Sequence, residues 1–112
     1  MKIYGVSQSS GVERSLHVES GPDGLVLVIK DLDGNKERAR ILVDAAELLP
    51  ALTDPAEGGA EVKGVSPGRG RTTSLRVEVR RNEVWLTAAE GVDVAVGLDD
   101  FQDALEGAIN RG

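Results

Sequence analysis

The chain has 112 residues, enough for one shared core, and no apolar run in it nears the roughly 20 residues that a membrane helix needs. Apolar residues make up 40% and aromatics only 3%, so the core must be aliphatic. With no cysteine and a single His17, disulfides, thiolate nucleophiles and two-histidine metal sites are excluded. The net charge of −6 argues against an evenly basic, polyanion-binding surface, and the N-terminus lacks the charged-then-apolar pattern of a signal peptide, so a cytoplasmic protein is expected.

Lys2 to Ser7 reads as a short strand ending in the polar stretch Gln8–Gly11. Val12 to Ser20 alternates, with Leu16 and Val18 on one face and Ser15, His17 and Glu19 on the other, the period of a half-buried strand. Gly21-Pro22-Asp23-Gly24 is a turn, and Leu25 to Lys30 is apolar on both faces, as in a covered central strand. Asp33-Gly34 turns the chain into a fourth strand, Arg38 to Val43. Asp44 with Glu47 then has capping-box spacing for a helix striped by Ala46, Leu49 and Leu52, which Pro50 keeps short, ending near Thr53.

Residues 54–59 hold Pro55 and Gly58-Gly59 and read as a linker. Beyond it the scheme returns. Glu61 to Ser66 is a strand, Pro67 to Arg71 a Gly-rich loop, and Thr72 to Arg80 an alternating strand with Leu75, Val77 and Val79 inward. Arg81-Asn82 turns into Glu83 to Ala89, which carries Trp85, and Glu90-Gly91 turns into Val92 to Val96. Asp99 with Gln102 repeats the cap spacing before a helix with Phe101, Ala104, Leu105, Ala108 and Ile109 on one face.

The return is a match of residues as well as of elements. Shifted by 59 positions, Gly5-Val6-Ser7 falls on Gly64-Val65-Ser66, Gly11 on Gly70, and Ser15-Leu16-His17-Val18-Glu19 on Ser74-Leu75-Arg76-Val77-Glu78. That gives eight identities in the eighteen ungapped pairs from Lys2/Glu61 to Glu19/Glu78. The offset falls to 55 by the helices, where Asp44 meets Asp99. These matches predict a tandem duplication. The expected fold is α+β: one domain over 1–112 built from two ββββα repeats, 1–53 and 60–110, forming two antiparallel sheets with two helices about a pseudo-twofold axis.

The repeat, the matched Asp-led helix starts and the stretch from Val94 to Ile109 resemble the Whirly and PUR-repeat superfamily of single-stranded nucleic-acid binders. That resemblance implies a sheet surface that binds single-stranded DNA or RNA, in an oligomer such as a homodimer. Family members favour basic surfaces and stacking aromatics, whereas this chain is acidic and has one Trp, one Tyr and one Phe.

The charge is nevertheless segregated. Lys63, Arg69, Arg71, Arg76, Arg80 and Arg81 stand against Glu78 alone between Val62 and Asn82. Guanidinium forks and glycine-exposed N–H groups suit phosphate, and base stacking on Trp85 completes a nucleic-acid-binding set of Lys63, Arg69, Arg71, Arg76, Arg80 and Trp85. The competing account pairs these arginines with neighbouring carboxylates, leaving a protein-interaction or self-assembling module. Trp85 itself reads as a core plug first, an interface anchor or stacking platform second. Asp31 to Glu37 fails the calcium-loop template, since its glycine is fourth and Leu42 is twelfth, so a hairpin turn is expected. Gly68 to Arg71 lacks the Lys-Ser/Thr of a P-loop, and His17 reads as a surface side chain. No nucleophile elbow or other catalytic set is present, so a non-enzymatic domain without cofactor or metal and without a membrane role is expected.

Overall fold

Alternating apolar residues set the strands, and the turns between them set their order. The computed structural model describes residues 2–21, 24–54, 57–66, 71–89 and 91–111. The strands are β1 (Lys2–Val6), β2 (Glu13–Gly21), β3 (Gly24–Asp31), β4 (Glu37–Val43), β5 (Ala60–Ser66), β6 (Arg71–Arg80), β7 (Glu83–Ala89) and β8 (Val92–Gly97). Helix α1 (Ala45–Thr53) follows β4, and α2 (Leu98–Arg111) follows β8. The turn Pro22-Asp23, part of the 54–59 linker, and the loop bearing Arg69 lie outside the described residues.

The fold is α+β, with eight antiparallel strands and two helices among the described residues. The expectation of two sheets gives way to one closed barrel, in which every strand pairs with the next and β8 returns to β1. Two separate four-stranded sheets would each leave two unpaired edges, and closure removes them. The closure is uneven. β4 meets β5 at two positions only, Leu42 with Val65 and Val43 with Gly64, and β1 meets β8 only where Val6 faces Ala95. At these seams the backbones come close. A Cβ on Gly5 would overlap the Ala95 carbonyl oxygen, and one on Gly64 would lie 2.5 Å from Ile41 Cγ2 and 2.9 Å from the Leu42 carbonyl oxygen.

The inward faces fill the lumen, as an eight-stranded barrel allows. Leu16 and Val18 of β2, Leu75 and Val77 of β6, and Leu86 and Val94 of β7 and β8 belong to one buried cluster that also takes in both helices. Because β4 and β8 run the same way, α1 and α2 leave from the same end of the barrel. Each then crosses a seam: α1 packs on β5 and β6, and α2 on β2 above all, then on β1, β8 and β7.

The Asp44 carboxylate caps α1 by accepting from the Ala46 N–H at 2.9 Å. Pro50 sits inside this nine-residue helix, which ends at Thr53. Its buried residues are Leu48, Ala51 and Leu52. This corrects the expected stripe, because Ala46 and Leu49 face solvent. The face that meets the core runs i, i+3, i+4 from Leu48, which suits the 3.6-residue turn better than i, i+3, i+6. In α2, Asp99 lies in the first turn rather than at the cap, since the helix begins at Leu98. Phe101, Ala104, Leu105 and Ala108 are buried, while Ile109 is 40% exposed. No helix among the described residues is long and apolar enough to cross a membrane.

Candidate functional site

The predicted basic residues do not converge. Arg76 and Arg80 project from the outer face of β6, and Lys63 from that of β5, opposite Ser74 and one step diagonally from Arg76. Arg71 starts β6 with the parity of the inward-facing Leu75, so it lies on the rim of the far end, roughly 30 Å along the strand from Arg80.

Carboxylates interleave with the outer arginines. Glu61 faces Arg76 across β5–β6, Glu83 faces Arg80 across β6–β7, and Glu78 stands between them. Arg80 Nε donates to Glu78 Oε1 at 2.8 Å, and Arg76 donates to the Gly58 carbonyl oxygen. Lys63 and Arg71 have no ion pair among the described residues.

Trp85 is not a core plug. It stands half-buried on the outer face of β7, between Glu78 and Ala95 in the strand register, with the Arg80 guanidinium 3.9 Å from its ring centroid. Its Nε1 is buried without a hydrogen-bond partner among the described residues. Phe101, fully buried in α2, fills the core position instead.

Across the β8/β1 seam the outer face turns apolar. Val6, Ala95 and Trp85 are successive cross-strand neighbours, and Tyr4 lies two residues from Val6 on the same side of β1. Tyr4 is 63% exposed and Val6 40%. The Lys2 ammonium sits 5.2 Å from the Tyr4 ring centroid at one end of this strip, and Glu13 pairs with Val6 at the other.

The barrel end away from the helices holds the most buried charge, which sequence reasoning missed. Arg14 (5% exposed) and Asp31 (7%) face each other inside the β2–β3 pair, with Arg14 Nε 3.0 Å from Asp31 Oδ1. Arg14 Nη1 also donates to the carbonyls of Gly91 and Asp93, at 3.1 and 2.7 Å. Arg38 Nε and Nη2 both approach Asp31 Oδ2 at 2.8 Å. The Arg38 bond, with Arg14 behind it, holds the Asp31 carboxyl below its ordinary pKa against the opposing pull of burial. The available signal was parity: Arg14 shares the face of Leu16 and Val18, and Asp31 that of Leu27 and Ile29.

Nearby, Asp93 accepts from Ser7 Oγ (2.7 Å), Ser9 Oγ (2.6 Å), Gln8 N (2.9 Å) and Ser9 N (3.2 Å), binding the β1–β2 loop to β8. Burial pushes its carboxyl up, but the Ser9 and Ser7 hydroxyls and the two loop N–H groups together hold it below the ordinary value. His17 is half-buried, 3.3 Å from Ser15 Oγ, and burial followed by Lys30 and Lys2 lowers its pKa. Among the described residues no three acidic or histidine side chains group as a metal site. The turn after Asp31 is a short 3-10 segment, Asp33–Asn35, and the Asp31 carboxylate is spent on arginines. No protein-family model, curated protein or solved structure matches this chain.

Proposed function

We propose that this chain is a non-enzymatic, self-assembling interaction module that docks on a second copy through the outer face of β1. The supporting observation is the exposed strip Tyr4–Val6, with Lys2 at one end and Glu13 at the other. A two-fold axis through this strip sets two β1 strands antiparallel, so that each Lys2 meets the other copy's Glu13 and the Tyr4 and Val6 side chains cover one another. Self-complementary patches of this kind suit an isologous dimer. The partner is placed on the face because the exposed apolar side chains of β1, Tyr4 and Val6, both project there.

Light scattering across a concentration series tests this. The expected mass is twice that of the chain, falling to the monomer for Tyr4→Glu. Lys2→Glu and Glu13→Lys should each weaken the dimer, and the double reversal should restore it. A monomer at all concentrations would overturn the reading.

A second reading keeps the PUR- or Whirly-like ancestry, with two ββββα repeats of 1–53 and 60–110 and single-stranded nucleic acid as ligand. It is favoured by Lys63 beside Arg76 and by the Arg80–Trp85 stack on one outer surface. A fluorescent oligonucleotide should then bind at low salt, lose affinity steeply as salt rises, and bind Arg76→Ala/Arg80→Ala less well. The interleaved Glu61, Glu78 and Glu83 place this reading behind the first.

A further inference from the structure

The barrel end opposite the helices is plugged on one side and hollow on the other. On the plugged side Arg14 spans from Asp31 to the Gly91 and Asp93 carbonyls. On the hollow side lies a pocket of about 420 Å3, lined by Ile41, Ser66, Thr73, Ala88 and Val92 among others, with Arg38 and the Glu37–Arg40 pair also along its wall. Barrel mouths of this size are habitual small-molecule sites.

The internal alignment accounts for the asymmetry. The 59-residue shift that superimposes Gly5-Val6-Ser7 on Gly64-Val65-Ser66 also sets Thr73 at the place of Arg14. One side therefore has a long guanidinium where the other has a short hydroxyl, and the space remains. The 55-residue shift that superimposes Asp44 on Asp99 sets Arg38 at the place of Asp93. Where one side supplies its own carboxylate to waiting serine hydroxyls and N–H groups, the other presents a cation.

Each arginine here already has one carboxylate, so a further acceptor would meet only the nitrogens left over. Arg38 commits Nε and Nη2 to Asp31, and Arg40 commits the same two nitrogens to Glu37, so neither Nη1 bonds a described residue. The hydroxyls of Ser66 and Thr73 likewise bond no described residue. Below them the wall is apolar: Ile41, Ala88 and Val92.

We propose that this pocket binds a small amphipathic carboxylate. Its head accepts from the free guanidinium nitrogen of Arg38 and from the Thr73 hydroxyl, and its short apolar body rests on Ile41, Ala88 and Val92. The site is independent of the β1 face and of any nucleic-acid surface.

The probes are octanoate and the dye anilinonaphthalene sulfonate, with dye fluorescence as the readout on the full chain. Octanoate is expected to displace dye from one saturable site per chain, and octanol, which has the same chain without the charge, to do so at least about tenfold less well. Arg38→Ala should weaken octanoate by about tenfold. Thr73→Arg, which copies the plug of the other side, should abolish the site, with a thermal melt confirming the fold. If Thr73→Arg does not fold, Ala88→Phe fills the same space from the neighbouring strand. Absence of saturable binding, equal competition by octanol, or unchanged octanoate binding in a folded pocket-filling variant would each overturn the proposal.

Discussion

Arg14 and Asp31 stand directly opposite each other in the β2–β3 register, and their side chains meet inside the barrel at 3.0 Å. A single Arg14→Leu change leaves Asp31 and Asp93 at a buried end with one arginine fewer. It should cost about 3–5 kcal/mol, while Arg14→Leu/Asp31→Leu should recover much of that loss because both charges leave together. Urea denaturation of the two variants checks this, and equal destabilisation would contradict it.

Stability should fall on the acid side in two stages. His17 has a folded pKa below its ordinary 6.5, so the unfolded chain takes up its proton first. Its contribution is complete above 6.5 and is lost as pH drops through the folded value. Asp31 and Asp93 act alike from 3.8 downward, each with a lowered folded pKa. His17→Gln should flatten the first stage, which begins as pH falls through 6.5, and Asp31→Asn the second, as read from denaturation midpoints against pH.

Alanine at either seam glycine should destabilise the barrel. Gly64→Ala brings a methyl against Ile41 and the Leu42 carbonyl and should cost about 1–3 kcal/mol. Gly5→Ala meets backbone on β8 and should cost more. Thermal melts decide the order, and a neutral Gly5→Ala would mean that β1 stands further from β8 than described.

Arg80 covers the only tryptophan. Arg80→Ala should leave stability within about 1 kcal/mol of the parent, since exposed cation–π contacts and exposed ion pairs are weak. It should also shift Trp85 emission to the red as the ring meets water. An unmoved spectrum would place the guanidinium elsewhere in solution.

Strand positions were legible because each depends on neighbours along the chain. Leu16 and Val18, or Leu75 and Val77, declare a buried face by alternation alone. Closure was not, because it depends on pairings such as Val6 with Ala95, which nothing local encodes. Trp85 misled for a related reason: its size suggested burial, whereas its parity with Thr87 placed it outside, beneath Arg80. The outer arginines were found, but their neutralising partners Glu61 and Glu83 sit on adjoining strands, so only the cross-strand register reveals them. Arg14 sits beside Glu13 in a stretch of mixed charge, and only its shared parity with Leu16 and Val18 marks it as buried.

The single bridge between β1 and β8 also sets the order of events during synthesis. Every hairpin from β1 to β4 can form as it leaves the ribosome, yet the first strand has no second neighbour until the last one is made. α2, the final element, then lies across the join. A nascent chain halted after β7 thus carries an unfinished wall, and completion is a late, long-range step of the slow kind that non-local pairing imposes.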